Sequence, residues 1–152
     1  MKSIIIDSKE KQPWNFSIYG FNQEVQHLAT GDYVIKGLED ILVIERKKTT
    51  GEISLNLGKK SKQFKSEMER MQDFKYRYLI CEFTSDDLAV FPTNSGIPKR
   101  YWRKLRMNGL FMMSRLSEWC EKYDIELIFC KDRQEAEEKA VEIIKKVLHE
   151  EE

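Results

Sequence analysis

The sequence is poor in the features that usually place a chain at once. It holds only three prolines and seven glycines in 152 residues, so no collagen-like or Pro/Gly-rich linker stretch exists. No apolar run approaches the roughly 20 residues needed to cross a bilayer, and Asp7 interrupts the N-terminal apolar run too early for a secretory leader. A soluble, intracellular protein without a membrane partner is expected. The three cysteines, Cys81, Cys120 and Cys130, form no CxxC pair, which argues against a zinc site. Cys81 and Cys130 sit in apolar runs and read as buried, reduced thiols. An excess of one charge is also missing: 26 Lys+Arg meet 26 Asp+Glu. Bulk positive charge therefore cannot attract nucleic acid, although a local basic surface can still exist.

What is present is enough for a core. Hydrophobic residues make up 41% and aromatics 11% of the chain, and a chain of this length buries about 68–70% of its unfolded surface. A single domain over residues 1–152 is expected. Ile4-Ile5-Ile6 predicts a buried first strand, with Pro13-Trp14 in a loop after it. Strands are also expected at Val25–Leu28, Tyr33–Ile35, Ile41–Ile44, Tyr76–Phe83 and Ile125–Cys130. Gly31-Asp32 marks a turn. The polar connector of residues 36–40 has hairpin length. The stretch from Thr49 to Lys62 is polar, contains Gly51 and Gly58, and reads mostly as loop. Helices are expected over Gln63–Phe74, at a short Ser85-Asp86-Asp87 cap, over Lys99–Lys122 with a break near Gly109, and after Asp132. Strands and helices alternate along the chain, the pattern of a sheet covered on both faces.

The zero net charge is a cancellation. Arg46 to Lys65 carries seven bases (Arg46, Lys47, Lys48, Lys59, Lys60, Lys62 and Lys65) and one acid, a net of +6. Lys99 to Arg106 has five bases, no acid and the aromatics Tyr101 and Trp102. Lys131 to Glu152 nets −3. Basic clusters among aromatics suit a phosphate backbone, while a solvated face is the alternative. Trp14 and Trp102 could stack on bases or pack in the core. His27 and His149 have no partners at ligand spacing and are assigned no role.

Glu45-Arg46-Lys47 closes an apolar strand. Alternation places Glu45 and Lys47 on one face and Arg46 on the other. If residues 33–35 and 41–44 pair as a hairpin, Asp32 approaches Glu45. Two carboxylates from neighbouring strands are the minimum for a hard divalent cation, because Mg²⁺ fills the rest of its shell with water and substrate phosphate. Lys47 could orient a water or offset charge on the transition state. A Gly-Asp turn and a Glu-x-Lys strand end are each common, so spacing alone leaves this reading open.

Four ordered segments resemble the XPF-type (ERCC4-like) nuclease domain of the PD-(D/E)xK restriction-endonuclease-like superfamily. They are Asp7-Ser8-Lys9-Glu10 after the first strand, Gly31-Asp32-Tyr33, Glu45-Arg46-Lys47, and the helix and strand spanning Phe64–Arg70 and Tyr78–Glu82. Lys11-Gln12-Pro13-Trp14 looks more like the stand-alone bacterial or phage-like members. The resemblance implies a three-layer α/β/α sandwich around a central mixed sheet. It implies an Mg²⁺- or Mn²⁺-dependent DNA endonuclease, selective for branched or flap DNA, in repair, recombination or phage DNA processing. Asp32, Glu45 and Asp7 would then ligate metal, with the Arg46 carbonyl as a further ligand and Glu10 in support. Lys47 would orient water. Arg46, Lys48, Lys59, Lys60, Lys62, Lys65, Arg100 and Arg103 would hold phosphates.

This sequence departs from the family at one position. An acid is expected four residues after Lys47, where Gly51 stands, and Glu52 is the candidate substitute. Family members often carry a helix-hairpin-helix module or a helicase domain, and none is seen before Glu152. A homodimer or a targeting partner protein is therefore expected. Two readings compete with catalysis. One is an inactive nuclease fold that binds DNA or serves as a dimerisation partner. The other is an interaction protein built on the helix around Leu110, Phe111, Leu116 and Trp119.

Overall fold

The computed structural model describes residues 2–152. Its centre is a sheet of six strands among the described residues: β1 (Ser3–Asp7), β2 (Asn22–Gln26), β3 (Tyr33–Ile35), β4 (Leu42–Lys47), β5 (Tyr76–Cys81) and β6 (Glu126–Phe129), in the order β2-β1-β3-β4-β5-β6. β3 runs antiparallel to its neighbours β1 and β4, while β1–β2, β4–β5 and β5–β6 pair in parallel. The sheet is therefore mixed, as expected. Its central strands are buried on both faces, which explains their unbroken β-branched runs. β2 lies at the edge and shows Val25 to solvent at 66% exposure. It begins earlier than its sequence indicates, because a short exposed edge strand has little alternation to read.

Five helices lie among the described residues: α1 (Thr50–Leu57), α2 (Ser61–Arg70), α3 (Ser85–Ala89), α4 (Gly109–Lys122) and α5 (Arg133–Glu150). α5 covers one sheet face with Ala136, Ala140, Ile143, Ile144 and Val147, against Ile4, Ile6, Ile35, Ile44, Ile80, Trp14 and Phe16. α1, α2 and α4 cover the other with Ile53, Leu57, Phe64, Met68, Met112 and Leu116, against Ile5, Val34, Val43 and Leu79. The result is the three-layer α/β/α sandwich. All three cysteines are buried and free, and burial pushes each thiol above its ordinary range.

The expected loop at Thr49–Lys62 is corrected: most of it is α1. Thr49 Oγ1 accepts from the Glu52 N–H at 3.2 Å, and Glu52 Oε1 accepts from the Lys48 N–H at 3.0 Å. This N-terminal cap, together with buried Ile53 and Leu57 one turn apart, outweighs the low helix propensity of Gly51. The helical region expected from Lys99 is broken near Gly109, as expected, but its first piece is 3₁₀ and not α-helix. A 3₁₀ segment spans Lys99–Lys104, and α4 starts at Gly109 with the Asn108 side chain as its cap, accepting from the Phe111 N–H at 2.9 Å. At α3 the cap is Thr84, paired with Asp87 in a capping box. No helix among the described residues is long and apolar enough to cross a membrane.

Candidate active site

Strand register builds the site. Ile6 pairs with Tyr33 and Tyr33 with Ile44, so Asp7, Asp32 and Glu45 fall side by side, one step beyond those partners. Alternation sends all three, and Lys47, toward the face covered by α1, α2 and α4. Glu45 and Lys47 stand at the C-terminal end of β4, as Asp7 does on β1. Carboxyl ends of strands are the usual ligand-binding end of an open α/β sheet. Asp32 is fixed by its backbone, whose N–H donates to Ile44 O at 2.9 Å. Its side chain accepts from the Arg46 N–H at 2.8 Å. Gly31 makes this possible: its φ is +78°, and a Cβ there would lie 2.2 Å from Val43 Cγ2.

The site concentrates charge out of water. Glu45 and Lys47 are each 6% exposed, and the Lys47 ammonium lies 3.1 Å from Glu45 Oε2. Two further carboxyls, Glu67 from α2 and Asp32, act on Glu45 by hydrogen bonding. Burial raises the Glu45 carboxyl, but Lys47 and these hydrogen bonds outweigh it and hold the group below its ordinary value. Burial and the neighbouring Glu45 charge push Asp32 well up. Burial and the hydrogen bond to Glu45 lift Glu67 to about 8. Burial alone would lower Lys47, yet Glu45 and Glu67 raise it above the usual lysine range, so it is a firm cation.

Hard oxygen donors crowded until burial and mutual repulsion raise Asp32 and Glu67 above their ordinary range fit an Mg²⁺- or Mn²⁺-type cation, which would relieve the same repulsion. Asp32 and Glu45 could hold such an ion. No three acids, histidines or cysteines among the described residues stand together as a ready-made metal cage. The remaining positions would fall to water and phosphate oxygens, as is usual for Mg²⁺.

The other expected site residues divide into three groups. Asp7 shares the row and is 5% exposed, and its Oδ1 accepts from the Leu28 N–H at 2.9 Å. Arg46 and Glu10 are not brought to the carboxylates. They meet on the opposite face at 2.7 Å, where Arg46 Nε also reaches Glu82 at 2.8 Å and the guanidinium lies 4.8 Å from the centre of the Trp14 ring. With its side chain 1% exposed, Arg46 is in no position to hold an outside phosphate. Trp14 is likewise a core residue, stacked on Tyr33 and donating to Glu82 at 2.7 Å. Glu52 is occupied as part of the α1 cap, accepting from the Lys48 N–H.

Among the expected phosphate contacts, Lys59, Lys60, Lys62, Lys65, Arg100 and Arg103 are exposed and Lys48 is half-buried. Lys62 lines an open groove with Lys9, Gln63, Ser66, Glu67 and Arg70. Lys65 instead lies 4.7 Å from the Trp119 ring centre. Lys9, Glu67 and Arg70 were missed by sequence reasoning. Glu67 had a signal, since it stands three residues after buried Phe64 and so leans toward the covered face.

Acids and a lysine thus gather at the carboxyl end of a central strand in an α/β/α sandwich. The chain belongs to the ERCC4 domain family, whose match covers residues 6–142. No curated protein matches the sequence. Among solved structures it is similar to XPF from Aeropyrum pernix, at 19% identity and a TM-score of 0.62, over 89% of this chain and 59% of that one. XPF from Aeropyrum pernix in complex with DNA matches at 18% identity and a TM-score of 0.62, over 97% of this chain and 63% of that one. The chain thus spans about three fifths of the XPF chains it matches, and it shares their fold.

Proposed function

We propose that this chain is a divalent-metal-dependent endonuclease that hydrolyses DNA phosphodiester bonds, selective for branched or flap DNA in repair, recombination or phage DNA processing. The observation that carries this reading is the Asp32–Glu45–Lys47 constellation, set beside a groove lined by Lys9, Lys62 and Arg70, in an ERCC4-family chain. The Aeropyrum pernix XPF structure with DNA supports DNA as the ligand. We take residues 1–152 as one intracellular domain that cuts with the help of a second copy or a targeting partner.

Asp32 and Glu45 would hold Mg²⁺ or Mn²⁺, with Asp7 next to them in the row. A bound divalent ion supplies Lewis-acid polarisation of a phosphoryl oxygen and charge for the leaving oxygen. Lys47 donates hydrogen bonds. Glu45 and Glu67 favour its charged form, which can orient a water or a non-bridging phosphate oxygen. The groove bases, with Lys59, Lys60, Arg100 and Arg103 beyond them, position the strand on either side of the scissile bond.

Gly51, standing where the family resemblance implies an acid, favours one alternative, a nuclease fold that binds DNA without cutting it. Branched-DNA cleavage with Mg²⁺ and Mn²⁺ separates the two. Cleavage by the wild type that disappears in both Asp32→Ala and Glu45→Ala supports catalysis. Undiminished cleavage by either variant sinks the assignment. A wild type that binds the DNA and leaves it intact selects the alternative.

A further inference from the structure

We infer that residues 95–107 form a DNA-gripping strap seated on α1, and that the seat requires the glycine at position 51. The inference rests on the proposed action on DNA and extends it to a second contact surface.

The strap is hydrogen-bonded to α1 at its near end and passes close to Gly58, the residue that caps α1, at its far end. At the near end the Gly51 N–H donates to Ser95 O at 3.1 Å, and Ser95 is 2% exposed. A Cβ on Gly51 would lie 2.5 Å from Ser95 O and 3.3 Å from Ile97 Cγ1. Backbone would have to move before any side chain could fit. Gly96 faces Thr49, whose Cγ2 would lie 3.6 Å from a Cβ built there, and the Ile97 N–H donates to Ser95 Oγ at 3.1 Å. At the far end the Met107 methyl lies 2.9 Å from where a Gly58 Cβ would stand. In between, Trp102 Nε1 donates to Ile97 O at 2.9 Å and folds the 3₁₀ segment back on its own base.

What this frame presents is charge. Lys99, Arg100, Arg103, Lys104 and Arg106 are all exposed, and none forms a salt bridge among the described residues. The seat lies four residues after Lys47 in the chain, and Gly58 at the far end directly precedes Lys59 and Lys60. Position 51 is also where the family resemblance implies an acid, and here Ser95 O closes that space. The sequence has the strap's docking point in place of a carboxylate.

The test uses DNA binding at several salt concentrations, tryptic cleavage within residues 99–106, and Mn²⁺ calorimetry on the full chain. The triple variant Arg100→Ala, Arg103→Ala, Lys104→Ala should weaken binding by about tenfold and lower the salt slope by about 0.9 per lost phosphate contact. Gly51→Ala removes no charge, yet it should lose affinity and slope in the same way and be cut faster by trypsin. Added to the triple variant, it should do nothing more. Gly51→Asp should behave like Gly51→Ala with no gain in Mn²⁺ affinity. If the Gly51 variants fail to fold, Trp102→Phe, which removes only the indole bond to Ile97, should show the same faster cutting and shallower slope. An unchanged slope in the triple variant overturns the strap. Tighter Mn²⁺ binding by Gly51→Asp with normal tryptic protection overturns the seat. A wild type that cuts nothing but binds with a strap-dependent slope overturns the nuclease reading alone.

Discussion

Arg46 and Glu10 form a 2.7 Å ion pair on one face of the sheet, while Glu45 and Lys47, the sequence neighbours of Arg46, form a 3.1 Å pair on the other. Three successive charged residues are thus divided between two buried networks by strand alternation. The back network also includes Glu82, Trp14 and Tyr33, whose hydroxyl donates to Glu10 at 2.7 Å. It ties the segment after β1 to the strand that bears the carboxylates.

Arg46→Ala should therefore act on stability before it acts on DNA. Removing the guanidinium leaves Glu10 and Glu82 buried without a counter-charge, which costs roughly 3–5 kcal/mol. Urea unfolding should show that loss. Trp14 emission should shift at the same time, because the cation 4.8 Å from its ring centre is gone. An unmoved midpoint with a shallower salt slope of DNA binding would restore the phosphate role expected from the sequence.

Lys47→Ala should separate binding from chemistry. Lys47 pairs with Glu45, and the oxygens that could hold a divalent ion belong to Asp32 and Glu45. Removing a cation beside them should leave Mn²⁺ affinity intact or higher by calorimetry. Cleavage should fall by about 10²-fold or more, the scale for losing a pre-organised donor. Loss of Mn²⁺ binding would assign Lys47 a different role.

Sequence reasoning reached the sheet and half of the site for the same physical reason. A period-2 pattern on buried strands is local, so Asp32, Glu45 and Lys47 could be placed on one face once the hairpin was assumed. α1 was illegible because two glycines and a polar surface mask it. Its stability comes from the Thr49 cap and from Ile53 and Leu57 meeting the sheet. The Arg46–Glu10 pair depends on the chain crossing to the far face after β1, and no local pattern encodes that crossing. Glu67 needed helix and strand periods read together, with Phe64 as the shared reference.

Gly31→Ala tests how the site is held. The alanine would meet Val43 Cγ2 at 2.2 Å and sit at φ +78°, a left-handed conformation that alone costs about 1–2 kcal/mol. The clash adds to that, and it falls one residue before Asp32. The variant should lose more than the torsional cost in denaturant unfolding. It should also lose cleavage, even at temperatures where it is fully folded. Full activity in a stable Gly31→Ala protein would mean that Asp32 does not need this backbone to be positioned.

The pH dependence of stability in the metal-free chain should carry the mark of Glu67. Its folded carboxyl titrates at about 8, against 4.5 for the ordinary group. Between those values the unfolded chain has released the proton and the folded chain still holds it. Raising pH through this window therefore favours unfolding, so the contribution is full below about pH 4.5 and lost by about pH 8. Asp32, also raised, pushes in the same direction. Glu67→Gln keeps the shape and removes the titration. In EDTA its Tm should fall less than that of the wild type between pH 5 and pH 8, and the two curves should diverge as pH rises. Parallel curves would show that Glu67 is ionised beside Glu45 throughout, with Lys47 alone sufficient to hold both carboxylates.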